Sequence, residues 1–236
     1  MTKPIFVVLS LLFLGFYGFS QNDTIKAKEV LRTLPVVQDG DYYREDQLYF
    51  NVYSGNVLNQ GDLVRRDGFS YGFAIGGYRD IPLNKRGSLA LAIGLGYEFN
   101  RLQINFAEPS LSYNDIDPTE LIEGITNKHS SIQVPIEFRW RNSTATKYKF
   151  WRIYTGFTFS WEFANTLKYQ TNLDSYTQKS TDIINSWNIG PHINVGYSFW
   201  NFYCYYGLSE YFNPEGSLSG YTGVHSLKLG FQVYIF

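Results

Sequence analysis

The sequence predicts an all-β protein, an eight-stranded antiparallel up-and-down transmembrane β-barrel. Three observations carry this reading. Runs of roughly ten residues alternate between bulky apolar and small or polar side chains, the period of a strand with two unlike faces. The connections between these runs alternate between short and long. After the N-terminal segment no stretch is long and apolar enough for a spanning helix. A chain of this kind crosses lipid only as a closed barrel, because lipid offers no partner to the backbone groups of an open sheet.

The chain opens with a candidate leader. Lys3 supplies positive charge, an apolar run extends from Ile5 to Phe19, and Gly18 and Ser20 place small residues just before Gln21. Residues 1–20 therefore read as a signal peptide, since a spanning anchor needs about 20 apolar residues and this run is shorter. No cysteine stands at the cleavage position, which argues against a lipid-modified mature N-terminus. Residues 21–46 are polar and charged, with weak helical character from Ile25 to Leu34, and read as a periplasmic tail or an inner plug. Residues 47–236 hold the barrel.

The clearest strand is Leu89–Phe99. Leu89, Leu91, Ile93, Leu95, Tyr97 and Phe99 form one face, and Ala90, Ala92, Gly94, Gly96 and Glu98 the other. Ile132–Trp140 sets Ile132, Val134, Ile136, Phe138 and Trp140 against Gln133, Pro135, Glu137 and Arg139. Trp151–Phe163 and Trp187–Phe199 repeat the pattern, and less regular strands fit Gln47–Val57, Gly68–Tyr78, Phe202–Tyr211 and Val224–Phe236. The short connections are Ile81–Gly87, Asn142–Lys147 and a turn near Trp200-Asn201. The long ones are Leu58–Asp67, Ala107–Lys128, Leu167–Asp182 and Asn213–Gly223. Short turns face the periplasm in such barrels and long loops face outward. Gln60, Tyr113, Asn172 and Glu215 are thus expected outside, Lys85 and Thr144 in the periplasm, and both termini on the periplasmic side.

Alternation alone leaves open which face points inward. A secreted lipocalin-like barrel would line a cavity with its apolar face. Composition favours the membrane. The polar face is rich in Gly, Ala and Ser, as a narrow lumen requires, where a solvated face would carry more Lys, Glu and Thr. Trp140, Trp151, Trp161, Trp187 and Tyr197 lie near strand ends on the bulky face, where interfacial girdles form. Aromatics make up 19% of the chain and charged residues 17%. The latter is below the roughly 25% of soluble domains. The net charge of −1 gives no sign of a nucleic-acid partner.

The inventory for chemistry is thin. The histidines are His129, His192 and His225. His129-Ser130 and His225-Ser226 are adjacent pairs whose members point to opposite faces of a strand, so neither forms a nucleophile–base contact within its strand. His192 shares the polar face with Asn188 and Asn194 and reads as a hydrogen-bonded lumen residue. No phosphate loop, zinc spacing or EF-hand appears, and no cofactor, metal site or catalytic residue is expected. Cys204 is the single cysteine, so no internal disulfide can form. The segment Ala107–Lys128 carries Glu108, Asp115, Asp117, Glu120 and Glu123, either a solvated acidic loop or a docking site. Folding the fourth and fifth strands symmetrically about Thr144-Ala145 sets Glu137 opposite Arg152 on the polar face, with Arg139 one step toward the periplasm. This predicts a lumen ion pair that neutralises charge in a plugged barrel. Lys228 is expected on the same inner wall.

The chain ends on a strand, Leu227–Phe236, whose terminal aromatics Tyr234 and Phe236 resemble the signal read by the barrel assembly machinery. The apolar alternation there runs through Ile235, out of step with Phe236. More broadly, residues 42–50 (YYREDQLYF), 78–86 (YRDIPLNKR) and 149–156 (KFWRIYTG) resemble the small outer-membrane barrels of the Bacteroidota porin-like family that includes PorT-like proteins. The resemblance implies residence in a bacterial outer membrane, contact with its lipid, and, in some relatives, service to type IX protein secretion. The leading expectation is a non-enzymatic structural or accessory barrel, in partnership with envelope or secretion-complex proteins. A narrow channel for small solutes is the second reading and a lipid-modifying enzyme the third. An eight-strand lumen is just wide enough to be filled by side chains, which disfavours the channel.

Overall fold

The computed structural model describes residues 45–58, 64–66, 68–106, 122–142, 150–179, 184–215 and 222–235. The expected leader, residues 1–20, and nearly all of the expected N-terminal segment lie outside them, as do Gln60, Tyr113, Thr144 and Phe236.

The described residues form ten strands: β1 (Gln47–Leu58), β2 (Val64–Arg66), β3 (Tyr71–Pro82), β4 (Leu89–Phe106), β5 (Ile122–Arg141), β6 (Trp151–Thr171), β7 (Ser175–Lys179), β8 (Trp187–Tyr197), β9 (Trp200–Tyr206) and β10 (His225–Ile235). No helix occurs among the described residues. Eight strands close the barrel in the order β1-β3-β4-β5-β6-β8-β9-β10, and β10 returns to β1 with Tyr49 opposite Tyr234. Every pairing is antiparallel. The short strands β2 and β7 flank the far ends of β4 and β6.

The wall is apolar outside and polar inside. Leu91, Ile93, Leu95, Ile136, Phe157 and Val195 are exposed, while Ala92, Glu98, Glu137, Arg139, Asn194 and Gln232 are buried. That distribution is inverted relative to a water-soluble barrel, and it decides the question of faces for lipid. Trp151 and Trp161 mark the two edges of the band on β6. Ten residues at about 3.3 Å each, tilted by about 40°, span a height of roughly 25 Å, the apolar band of an outer-membrane barrel. Cys204 lies on this outer face, opposite Ile193.

Three strands run much further than a crossing needs. β4, β5 and β6 have 18, 20 and 21 residues, against about 9–11 for a tilted spanning strand. Beyond the band the faces exchange polarity. On β4, Arg101 and Gln103 turn outward while Leu102 and Ile104 are buried. On β6 a bulge makes the exchange: Ser131 pairs with Glu162 and Ser130 with Ala164, so Phe163 is an extra residue. A single inserted residue reverses the faces of all that follows. Odd-numbered Trp161 therefore faces lipid, while odd-numbered Leu167 and Tyr169 face inward.

The extended strands correct several expected boundaries. Part of the expected loop Ala107–Lys128 is strand from Ile122 onward, and Leu167–Thr171 continues β6. Both were read as loops because apolar outward alternation stops where water replaces lipid. The turn expected near Trp200-Asn201 is Ser198-Phe199, between paired Tyr197 and Trp200, with Ser198 at φ 58°. The seventh barrel strand ends at Tyr206 and not at Tyr211.

Replacing outward Phe157 by Arg is expected to lower stability by about 2–4 kcal/mol. Denaturant titration of the protein folded into vesicles measures the loss; a variant as stable as the parent would place Phe157 elsewhere than on the lipid face.

Candidate functional site

An eight-strand lumen must be filled, and here inward tyrosines lie against glycines on the next strand or the one beyond it. A Cβ at Gly96 would collide with the Tyr49 hydroxyl, at Gly72 with the Tyr53 ring, at Gly94 with Tyr78, and at Gly190 with Tyr205. Gly and Ala on the inner face make room for rings that cross the lumen, and Tyr49, Tyr78, Tyr154 and Tyr234 pack together there.

Among these rings, toward the end that carries the short connections, sits a buried charge network. Arg139 Nε lies 2.8 Å from Glu137 Oε2, and its Nη1 lies 3.2 Å from Asp80 Oδ1. Its guanidinium stands 4.4 Å from the Tyr78 ring centroid and 4.6 Å from that of Tyr154. Arg141 donates from Nη2 to Asp80 Oδ2 at 2.8 Å and from Nε to the Gly87 carbonyl at 2.7 Å, and Glu45 Oε2 stands 3.4 Å from its Nη1. Arg152 stands over the rings of Phe150, at 4.5 Å, and Tyr234, at 5.4 Å. Three guanidinium groups thus share this end of the lumen with the carboxylates of Glu45, Asp80 and Glu137. Arg139 and Arg141 are paired and hydrogen-bonded, the condition under which buried charges are tolerated.

The expected residues meet in a different arrangement. Glu137 is opposite Gly156, while Arg152 is opposite Arg141, and so the expected cross-strand pair of Glu137 with Arg152 is corrected. Paired residue numbers sum to 293 and not to 289, so the hairpin is centred two residues later than Thr144-Ala145. The acid reaches instead to Arg139, two residues along its own strand. Lys228 does lie on the inner wall, but further along the barrel, 2.6 Å from Glu98 Oε1. Tyr53 donates to Glu98 as well, and Ser131 Oγ donates to its other oxygen at 3.2 Å. Tyr234 is buried among the lumen tyrosines. Asp80, Arg141 and Glu45 were not singled out in the sequence. Arg141 shares the parity of Glu137 and Arg139, which was the available signal; Asp80 fell just past the expected end of its strand.

The histidines serve this filling. His192 Nε2 is 3.1 Å from Glu137 Oε1 and its Nδ1 is 2.9 Å from Thr158 Oγ1. His129 points inward, with Nε2 4.0 Å from Glu162, while neighbouring Ser130 points outward to the Tyr97 hydroxyl at 2.9 Å. His225 Nδ1 stands 3.3 Å from the Ser209 carbonyl. Neither adjacent His-Ser pair makes a nucleophile–base contact. Above Glu162, toward the far end, lies an apolar cluster of buried residues that includes Leu102, Ile104, Ile125, Leu167, Tyr169 and Phe212. Between them lies a cavity of about 30 Å³, lined in part by His129, Glu162 and Lys228. Among the described residues no group of three His, Cys, Asp or Glu is placed to hold a metal ion.

A family model described as an outer membrane protein beta-barrel domain matches residues 19–213. Nothing among curated protein sequences matches the chain. Among solved structures the chain is similar to Neisserial surface protein A, at 14% identity and a TM-score of 0.38, over 80% of this chain and 96% of that one. It is also similar to Ail, the attachment invasion locus protein of Yersinia pestis in complex with the heparin analogue sucrose octasulfate. There the identity is 12% and the TM-score 0.36, over 81% of this chain and 99% of that one.

Removing one member of the buried network should cost more than removing a pair. Glu137→Ala, which strips Arg139 of one of its two carboxylates, is expected to destabilise by about 3–5 kcal/mol. Glu137→Ala combined with Arg139→Met should cost less. Equal, additive losses in a double-mutant cycle would show that the two side chains are not coupled.

Proposed function

The chain belongs to the outer membrane protein β-barrel domain family, and from that premise we propose that it is a non-enzymatic, non-conducting accessory barrel of the bacterial cell envelope. The filled lumen carries this reading. Arg139 is 0% exposed between the rings of Tyr78 and Tyr154, and the apolar cluster lies toward the opposite end. With the interior spent on packing, contacts with partners fall to the outer surface and above all to the sheet that β4–β7 raise beyond the lipid band. The end with the long connections faces the cell exterior and both termini face the periplasm. The last strand is the part the assembly machinery reads. The resemblance to PorT-like barrels extends the proposal to service beside a type IX secretion complex, and affinity purification from native membranes tests that extension through the proteins recovered.

Two measurements check the core of the proposal. Purified protein in planar bilayers should show no conductance steps; reproducible openings at neutral pH would favour the solute channel. In intact cells carrying Cys204→Ser, a membrane-impermeant thiol reagent should label Asn172→Cys and Glu215→Cys and leave Lys85→Cys unlabelled. The reverse pattern would invert the orientation.

A further inference from the structure

The outer face of the extended sheet changes character over a few residues. At the edge of the lipid band, one cross-strand row reads Tyr97, Ile132, Trp161 and Trp187. Four residues further along β4 and β5 comes a second row. Arg101 pairs with Lys128, Lys128 with Thr166, and Thr166 with Lys179 on β7. Partners in register share a face, so these side chains all turn outward. Lys168, two residues beyond Thr166, joins them. Lys128, Lys168 and Lys179 are exposed, and among the described residues no carboxylate forms an ion pair with any of the three. Arg101 is half-buried, with Nη1 3.5 Å from the Phe69 carbonyl and its guanidinium 5.8 Å from the Tyr71 ring centroid.

We infer that this row binds the phosphates of an anionic lipid headgroup in the leaflet that surrounds the long-connection end. The row is continuous with the lipid-facing wall, so whatever fills the headgroup layer beside that wall meets it. Four residues at about 3.3 Å along a tilted strand put it on the order of 10 Å above the aromatic edge. Lysine stems reach back over apolar surface and hold their ammonium groups in the polar layer. From Arg101 to Lys179 the row crosses three inter-strand steps, about 14 Å. That width suits a headgroup with two separated phosphates better than a single small anion. Lysine and arginine near a membrane surface draw anionic lipid by charge, and several in one row select for headgroups that carry more than one phosphate. The inference rests on the proposed orientation only for naming the leaflet as the outer one.

The test uses the full mature protein in neutral detergent, with bis-phosphorylated lipid A and chemically dephosphorylated lipid A as probes. Native mass spectrometry and thermal unfolding should show retention of the phosphorylated form at least tenfold above the dephosphorylated form, with a higher unfolding temperature. A Lys128→Glu, Lys168→Glu, Lys179→Glu variant should lose this preference, and Lys85→Glu at the opposite end should keep it. Heat-modifiable migration on gels reports that each variant is folded. Equal retention of the two lipid A forms would overturn the inference, as would an unchanged triple variant. Stabilisation by inorganic phosphate alone would overturn it in favour of an ion site. A triple variant destabilised without any lipid would overturn it in favour of a contact with the chain's own acidic segment around Asp115. Cysteine labelling in cells assigns the leaflet separately, so a reversed orientation and a failed headgroup site give different results.

Discussion

Everything in this barrel depends on the width of an eight-strand lumen. An eight-strand interior is just wide enough for side chains to fill, so each inward side chain must fit the strands around it. Tyrosine over glycine is the solution used here. Tyr49 needs Gly96 to have no Cβ, and Tyr78 makes the same demand of Gly94. The hydroxyl of Tyr53 finds partners in Glu98 and Asn100. The inward carboxylates Glu98 and Asp80 meet the inward cations Lys228, Arg139 and Arg141. Rings and charges fill the lumen together, with the Arg139 guanidinium between the rings of Tyr78 and Tyr154.

A second constraint acts on the outer wall, where the solvent changes along the strand. Within the lipid band the outward residues are apolar and the inward ones polar; beyond it the assignment reverses. The strands accommodate the reversal in two ways. β4 changes its sequence parity, from Tyr97 and Phe99 outward to Leu102 and Ile104 inward. β6 keeps apolar residues at odd positions throughout and changes the geometry, with Phe163 inserted as a bulge. The result is a barrel with two cores stacked end to end, a tyrosine and charge core within the lipid band and an apolar core beyond it.

This explains which parts of the structure were legible in the sequence. The eight strands, their order and the lipid-facing parity follow from alternation and from the alternating connection lengths, and Leu91, Phe157 and Val195 stand where that parity puts them. The strand ends beyond the membrane were not legible, because alternation was read as one apolar face throughout and the face changes at Phe99, Ser130 and Phe163. Partners across the β5–β6 hairpin were not legible either. Parity was right for Glu137 and Arg152, which both point inward, but a polar connection without a Gly or Pro marks no centre, and the pairing is displaced by four residues. The cluster of Glu137 with Arg139 was within reach as two inward residues on one strand. Asp80, two residues past the expected end of a strand that runs four residues further, was not.

The displaced hairpin also shows what the buried charges do for the fold. A slip of one residue turns every apolar side chain into the lumen and is excluded by the lipid. A slip of two or four residues keeps every face correct, so the hydrophobic pattern cannot reject it. The lumen contacts can. Arg139 and Arg141 on β5 divide the two oxygens of Asp80 on β3, across β4, and a slip of two residues in either intervening pairing would separate them by about 7 Å. Glu137 meets His192 from β8, across β6, which ties the next two pairings in the same way. Buried ion pairs are weak contributors to net stability, because desolvation offsets much of their attraction. Their specificity is another matter, since a slipped register would leave bare charges in the lumen. In this barrel the lipid selects the faces and the arginine–carboxylate network selects the register.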